Sequence, residues 1–274
     1  MISKLLVAAT MFAGLVVFLV VLAWMFQERI AFQPPGGPWP DPVDVSRVAY
    51  SAADGQQLFA YIAGDPRATG NVLLAFHGNA DLAVWQTDWA NEVVRRTGVP
   101  VMLVEYRGYM GLGGRPTYGG SKLDASAAYL FARDTFGIPA AKVAMFGHSL
   151  GSAIATELAL LHRPASLLLQ APFTSARDMA GRMTGYLPAK TLWRLISRLH
   201  FDTGAGVARL EAPVSVSHGG RDRLIPREMG EVVFASAKQK GAWLLVPDAA
   251  HNDVGLRGGE AYWAWMIEAL EPVK

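Results

Sequence analysis

The 274-residue sequence contains no cysteine, which removes disulfides, thiolate metal sites and a cysteine nucleophile, and leaves the redox compartment open. Charge is sparse as well. Asp, Glu, Lys and Arg make up 18% of the chain, the formal net charge is +2, and the two signs are mixed along it. With no basic block, nucleic acid is not expected as a partner. No pair of histidines has metal-ligand spacing, so neither a metal nor another cofactor is expected. No internal repeat is visible, and the length suits one α/β domain with a full core.

Charge is missing altogether from Leu5 to Phe26 (LLVAATMFAGLVVFLVVLAWMF). At about 1.5 Å per residue this run reaches roughly 33 Å as a helix, enough to cross a hydrocarbon core. Trp24 and Phe26, followed by Glu28 and Arg29, sit where an interfacial belt belongs. A cleaved signal peptide needs a shorter apolar core and a small-x-small site, neither of which is clear here. A buried core helix is rarely so long and uninterrupted. Residues 1–27 are therefore read as a single-pass anchor. Lys4 precedes the run while Arg29 and Arg47 follow it, so positive charge barely sets orientation. The short basic N-terminus resembles a signal anchor, which places the domain outside the cytoplasm. Residues 28–46 include PPGGPWPDP (34–42), a stiff, helix-breaking linker expected to separate the membrane from a catalytic domain at 47–274.

Beyond residue 47, strand and helix patterns alternate. RVAYSAADG and LFAYI (58–62) read as a hairpin turning at Asp54-Gly55. NVLLAF (71–76) is a continuous apolar run of the kind buried on both faces of a parallel sheet. Residues 85–97 read as a helix, VMLVEY (101–106) as a strand, and a glycine-rich loop leads to a helix from about Ser121 to Phe136. Strands at 142–146, 166–170, 214–218 and 242–246 alternate with helices at 150–161 and near 227–237, and an amphipathic helix carrying Tyr262, Trp263, Met266, Ile267 and Leu270 closes the chain. Such alternation implies right-handed crossovers and a mostly parallel sheet flanked by helices, with sites gathered at the carboxyl ends of the strands.

One of those ends carries Gly147-His148-Ser149-Leu150-Gly151, a G-x-S-x-G run between an apolar strand and a helix. This is the context of a nucleophile elbow, in which a strained turn presents the serine and small neighbours make room for it. A bare G-x-S-x-G also arises by chance as an ordinary turn; the strand before it and the helix after it favour catalysis. A serine nucleophile needs a base, and the base an acid that fixes its tautomer. His251 follows the last strand in Pro247-Asp248-Ala249-Ala250-His251 and is the candidate base. Asp222, in the loop after strand 214–218, is the candidate acid, with Asp178 after strand 166–170 as the runner-up. His162 and His200 fall in helical or surface segments, His148 is expected to turn away from the site, and His218 to be a hydrogen-bonded core residue. His77-Gly78-Asn79-Ala80 follows strand 71–76, where a loop donor to an oxyanion belongs. The backbone amides of Asn79 and Leu150 are the candidate oxyanion hole, with His77 bracing the loop.

FHGNA (76–80), YRGY (106–109), GHSLG (147–151), HGGRD (218–222) and AHNDV (250–254) occur in that order. Together with QERIAFQP (27–34) they resemble the membrane-anchored branch of the α/β-hydrolase superfamily, the group of protein depalmitoylases and related bacterial anchored hydrolases. The resemblance covers residues 25 to 270. It implies an α/β-hydrolase fold with a short helical cap at about 172–206, Ser149 as nucleophile, Asp222 as acid, His251 as base, the Asn79 and Leu150 amides as oxyanion donors, and structural roles for Asn252 and Asp253. Met110 and Leu112 stand where that family usually has Gly and Ser, and Glu105 where Asp is common, so substrate preference does not carry over.

The expected activity is hydrolysis of a carboxylic ester or thioester, on a small-molecule or lipid-like acyl substrate, through an acyl-serine intermediate. A serine peptidase of the same fold is the nearest enzymatic alternative. The contrasting class is a non-catalytic membrane scaffold, which would usually have lost a triad member. Within the cap, Lys190, Leu192, Trp193, Arg194, Leu195, Ile196, Arg198 and Leu199 predict a helix with an apolar face and a basic flank, which either packs on the sheet or covers the pocket and meets the bilayer.

Overall fold

The computed structural model describes residues 2–184 and 197–274. An eight-stranded sheet forms the centre, in the order β1-β2-β4-β3-β5-β6-β7-β8. β1 (Ser46–Ser51) and β2 (Gln57–Ala63) pair antiparallel, β2 runs antiparallel to β4 (Val101–Val104), and the remaining pairings are parallel. Those strands are β3 (Val72–Phe76), β5 (Val143–His148), β6 (Ser166–Gln170), β7 (Val214–Gly219) and β8 (Lys240–Val246). Every residue of β3, β4 and β6 is buried, as continuous apolar runs covered by helices on both faces require. Gly55 closes the opening hairpin at φ +83°, a conformation that favours glycine.

Two helices start elsewhere than the pattern predicts. The helix expected from Ser121 begins at Tyr118 (α4, Tyr118–Phe136), because the Thr117 hydroxyl caps the Gly120 amide at 2.9 Å. Gly119 and Gly120 read as loop glycines, yet a Cβ at Gly120 would stand 2.8 Å from Arg107 Cδ, so packing demands glycine inside this helix. The stretch near residue 85 splits into a 3-10 turn (Ala83–Gln86) and α3 (Thr87–Thr97), after the short α2 (Pro66–Thr69). Farther on come α5 (Leu150–His162), α6 (Ala176–Thr184), α7 (Thr203–Val207), α8 (Arg227–Ser236) and α9 (Val254–Leu270), the last kinked at Gly259.

The N-terminal α1 spans Ile2–Ala31 as one helix, and within it an 18-residue window of mean hydropathy 2.9 has no buried residue. Length and exposed apolar surface make it a candidate membrane span. Its foot is seated on the domain. Gln27 and Glu28 are buried; the Arg198 backbone N–H donates to Gln27 Oε1 at 2.6 Å, the Arg198 guanidinium lies 3.3 Å from Glu28 Oε2 and 5.3 Å over the Trp24 ring, and Phe32 packs on Phe201. The proline-rich stretch is not helical, as expected, but it lies along the domain and does not hold α1 away from it. Trp39 meets Trp85 edge to face at 5.5 Å, and Asp41 accepts the Tyr61 hydroxyl at 2.6 Å. Proline removes donors and fixes φ; it does not forbid packing. Lys190, Leu192, Trp193, Arg194, Leu195 and Ile196, on which the cap helix was expected, lie outside the described residues.

Candidate active site

Ser149 stands between β5 and α5 at φ +54° and ψ −115°, a strained backbone for a residue with a side chain. Its neighbours explain how the turn closes. A Cβ on Gly147 would fall 2.2 Å from the Gly151 carbonyl oxygen, and one on Gly151 would fall 2.0 Å from that of Phe76. The Ser149 N–H donates to the Gln170 carbonyl at 2.9 Å, tying the turn to β6.

His251 and Asp222 arrive on loops after β8 and β7. These loops touch backbone to backbone because Gly219 and Gly220 have no side chains: a Cβ on Gly219 would lie 2.5 Å from the carbonyl oxygens of Ala249 and Ala250. The three side chains form a relay. His251 Nδ1 lies 2.7 Å from Asp222 Oδ2, and His251 Nε2 lies 2.9 Å from Ser149 Oγ. Asp222 Oδ1 accepts the N–H groups of Leu224 and Ile225, each at 2.9 Å. Burial opposes the Asp222 charge, but hydrogen bonding by His218, His251 and the Ile225 amide outweighs it and holds the carboxyl below the usual carboxylate range. An ionised Asp222 keeps the His251 proton on Nδ1, leaving Nε2 able to accept from the serine hydroxyl.

Asp178 faces other partners. It accepts the hydroxyls of Thr174 at 2.7 Å and Ser175 at 2.9 Å and receives its amide cap from Ser175, so it organises the start of α6. His162 stacks on Tyr129 and His200 meets Tyr118 edge on. His218 is fully buried with Nε2 on the Ile225 carbonyl at 2.9 Å. The His148 ring packs against that of His251, 5.1 Å between centroids, with Nε2 3.2 Å from the His251 carbonyl. The Asp253 carboxylate accepts the Ala250 amide at 2.5 Å and pairs with Arg257.

The loop after β3 passes in front of the elbow; a Cβ on Gly78 would sit 3.5 Å from Ser149 Cβ. Among the described residues the Asn79 and Leu150 backbone amides donate no hydrogen bond within the chain, so both are available to an incoming oxygen. His77 braces this loop from inside. Its Nε2 lies 2.9 Å from Glu105 Oε1 and its Nδ1 lies 2.8 Å from the Gly78 carbonyl. Burial opposes its charge, but the Glu105 carboxylate prevails and raises its pKa. Sequence reasoning missed the weight of Glu105, which is fully buried and also accepts the Ala83 and Tyr106 amides at 3.1 Å each. The signal was a lone acid ending an apolar strand. Arg107 was passed over too; it bridges the buried Asp124 at 2.7 Å and Asp54 at 2.6 Å. An open groove of about 520 Å³ where α1 meets the domain, lined by Trp24, Glu28, Tyr118, Arg198 and His200 among others, holds none of the candidate catalytic residues.

No family model matches the sequence. The chain is 31% identical over 269 residues to an uncharacterized protein of Mycobacterium tuberculosis, covering 96% of this chain and 91% of that one. It is 27% identical to the α/β-hydrolase domain-containing protein WAV2 of Arabidopsis thaliana, covering 95% and 92%. An esterase of Pyrococcus furiosus superposes with a TM-score of 0.67 at 17% identity, covering 88% of this chain and 97% of that chain. The chain has the α/β-hydrolase fold. In this chain the sheet has β2 alone reversed within the otherwise parallel run from β2 to β8. A hydrolase of this fold carries its chemistry at the carboxyl ends of the central strands, where Ser149, Asp222 and His251 meet.

Proposed function

We propose that this hydrolase is a single-pass membrane-anchored serine esterase or thioesterase. Ser149 is the nucleophile, His251 the general base, Asp222 the acid, and the Asn79 and Leu150 amides the oxyanion hole. The observation that carries the reading is the continuous relay from Asp222 through His251 to Ser149, at 2.7 and 2.9 Å. Ser149 Oγ attacks the acyl carbonyl while His251 Nε2 takes its proton. The tetrahedral oxyanion is held by the two amides, in the way that preorganised donors stabilise charge as it develops. Collapse breaks the bond to the alcohol or thiol, which leaves with the proton from His251. Water, deprotonated by the same imidazole, then attacks the acyl-serine, and the carboxylate product departs as Ser149 regains its proton. No cofactor enters these steps.

Residues 1–27 form the anchor, 28–46 the connecting stretch and 47–274 the catalytic domain, with a cap at 172–206. Support for the anchor comes from the exposed apolar length of α1. In this reading the domain lies outside the cytoplasm, and the substrate is a small-molecule or lipid-like acyl ester or thioester. A fluorophosphonate probe should label the wild-type protein, and Ser149→Ala should lose both labelling and ester hydrolysis with its melting temperature nearly unchanged. Labelling that persists in Ser149→Ala ends the nucleophile assignment. Because the chain has no cysteine, single cysteines placed in exposed loops of the domain report its side of the membrane through a membrane-impermeant maleimide.

A further inference from the structure

The side chain of Asn79 is a knot that joins the oxyanion loop to the foot of the membrane helix. Its Oδ1 accepts three donors: the Gln33 backbone N–H at 2.7 Å, the Ala80 backbone N–H at 3.0 Å and the Tyr109 hydroxyl at 3.2 Å. Gln33 comes two residues after the end of α1, and the residue before it, Phe32, is 3% exposed and packed on Phe201. Gln33 is therefore held in place by a buried aromatic anchor beside it and by its own side chain, whose Nε2 donates to the Ile30 carbonyl at 2.9 Å. Ala80 has φ +51°, so the loop leaves Asn79 in a conformation that a residue with a Cβ adopts only under restraint.

Two other braces act on the same loop from within the domain. The Tyr106 hydroxyl donates to the His77 carbonyl at 2.9 Å, and His77 is held by Glu105. These fix the start of the loop, and His77 Nδ1, 2.8 Å from the Gly78 carbonyl, steadies the peptide before Asn79. Beyond Gly78 the Asn79 Oδ1 gathers the Ala80 and Gln33 amides and the Tyr109 hydroxyl, while Asp81 Oδ1 accepts the Leu82 amide farther along the loop. Rotation of the Asn79 side chain would release the Asn79–Ala80 peptide, and the Gly78–Asn79 peptide that carries the Asn79 N–H would then be held, among the described residues, by His77 Nδ1 alone.

We propose that Asn79 is a positioning residue through its carboxamide, and that Phe32 and Gln33, just beyond the membrane helix, complete the oxyanion hole from outside the α/β core. The inference rests on the Asn79 amide being an oxyanion donor, as in the function proposed above. It makes the segment after the anchor part of the active site. Loss of an oxyanion donor costs about a hundred- to a thousandfold in kcat, and a donor displaced without being removed should cost about ten- to a hundredfold. Ground-state binding depends little on that donor, so KM should stay nearly constant.

The test uses the full-length protein in detergent, a short water-soluble ester, and end-point titration with a fluorophosphonate so that kcat is counted per competent Ser149. Asn79→Ala and Phe32→Ala should each lower kcat per titrated site about ten- to a hundredfold at similar KM. Tyr109→Phe, which removes one of three donors, should lower it severalfold. The double variant Phe32→Ala/Asn79→Ala should be no worse than the poorer single one, because both act through one atom. The pH profile should keep its shape in all of them. A loop that serves only as a structural brace would instead lose melting temperature and titratable sites while kcat per site stayed constant, and that result overturns the proposal. Additive losses in the double variant would also overturn it. Should Phe32→Ala fail to fold, Asn79→Ala and Tyr109→Phe decide by the same readout. If wild-type protein is not labelled at Ser149, the hydrolase reading itself fails; if it is labelled and the variants keep kcat, only this inference fails.

Discussion

Asp222 and Asp178 both follow parallel strands, and only their hydrogen-bond partners separate them. Asp222→Asn should reverse the His251 tautomer preference and lower kcat by about three to four orders of magnitude. Asp178→Asn keeps a capping side chain at α6 and should cost under about 1 kcal/mol of stability, with activity retained. Steady-state kinetics and melting curves of the two variants decide this, and reversed phenotypes would move the acid to the loop after β6. His148 makes a second test. Burial, reinforced by repulsion from His251, holds its pKa down at about 4, against about 6.5 in an unfolded chain. Between those values the unfolded chain binds a proton that the folded protein refuses. Stability therefore falls as pH drops from about 6.5 to about 4, and this contribution levels off below that. The Asp222 carboxyl, whose pKa is lowered, contributes stability above about pH 4 that is lost only at still lower pH, so the two windows do not overlap. His148→Gln should flatten the melting temperature between pH 6.5 and 4. An unchanged slope would assign the acid sensitivity elsewhere.

Between elements, close backbone approach sets the geometry of the site. The loops after β7 and β8 meet where Gly219 leaves no room for a Cβ, with Ala249 and Ala250 carbonyl oxygens at 2.5 Å from that position. Gly219→Ala must separate the loop of Asp222 from that of His251. A shift near 1 Å should cost about a hundredfold in kcat/KM. Gly219 is the last residue of β7, paired with Val246, so the pairings before it and most secondary structure should survive. Far-ultraviolet circular dichroism beside kinetics tests this, and full activity in the variant would show that the loops can part without consequence. The five motifs are legible here in a new sense: the glycines in HGGRD and GHSLG are spaced for backbone contact between neighbouring loops, while the charged residues of YRGY and the strand before it tie down the scaffold through Arg107 and Glu105.

For the molecule as a unit, the seating of α1 decides where a soluble form can be cut. Removing residues 2–22 leaves Trp24, Gln27, Glu28 and Phe32 on the domain and should give a folded enzyme that cleaves short soluble esters at near full-length kcat. Removing residues 2–34 takes away the buried Gln27, Glu28 and Phe32 and the Gln33 donor, and should aggregate or lose activity. Gel filtration and ester assays of the two truncations make the comparison. Equal behaviour would mean that the foot of the helix is dispensable. In the proposed membrane-anchored reading, a helix seated this way would hold the domain at a set height above the bilayer, which a flexible tether would not do.

Much of this protein is written in local pattern. Alternating apolar runs and helix periods determine the order of elements, because burial on two faces and burial on one leave different spacing in the chain. The strand–turn–helix around Ser149 and the positions of Asp222 and His251 after late strands follow from the same reading. Local pattern also marked residues 34–42 as non-helical, since proline excludes that structure by its own covalent geometry. What lay beyond it depends on contacts between residues far apart in the chain. Asp222 and Asp178 both follow strands, so placement could rank them, and the 2.7 Å approach of His251 to Asp222 separates what they touch. Glu105 takes its meaning from His77, Arg107 from Asp124, and Gln33 from an asparagine 46 positions away. Periodicity records which face of an element is buried; the partner that buries it, and the hydrogen bonds that partner brings, are decided only when the chain closes on itself.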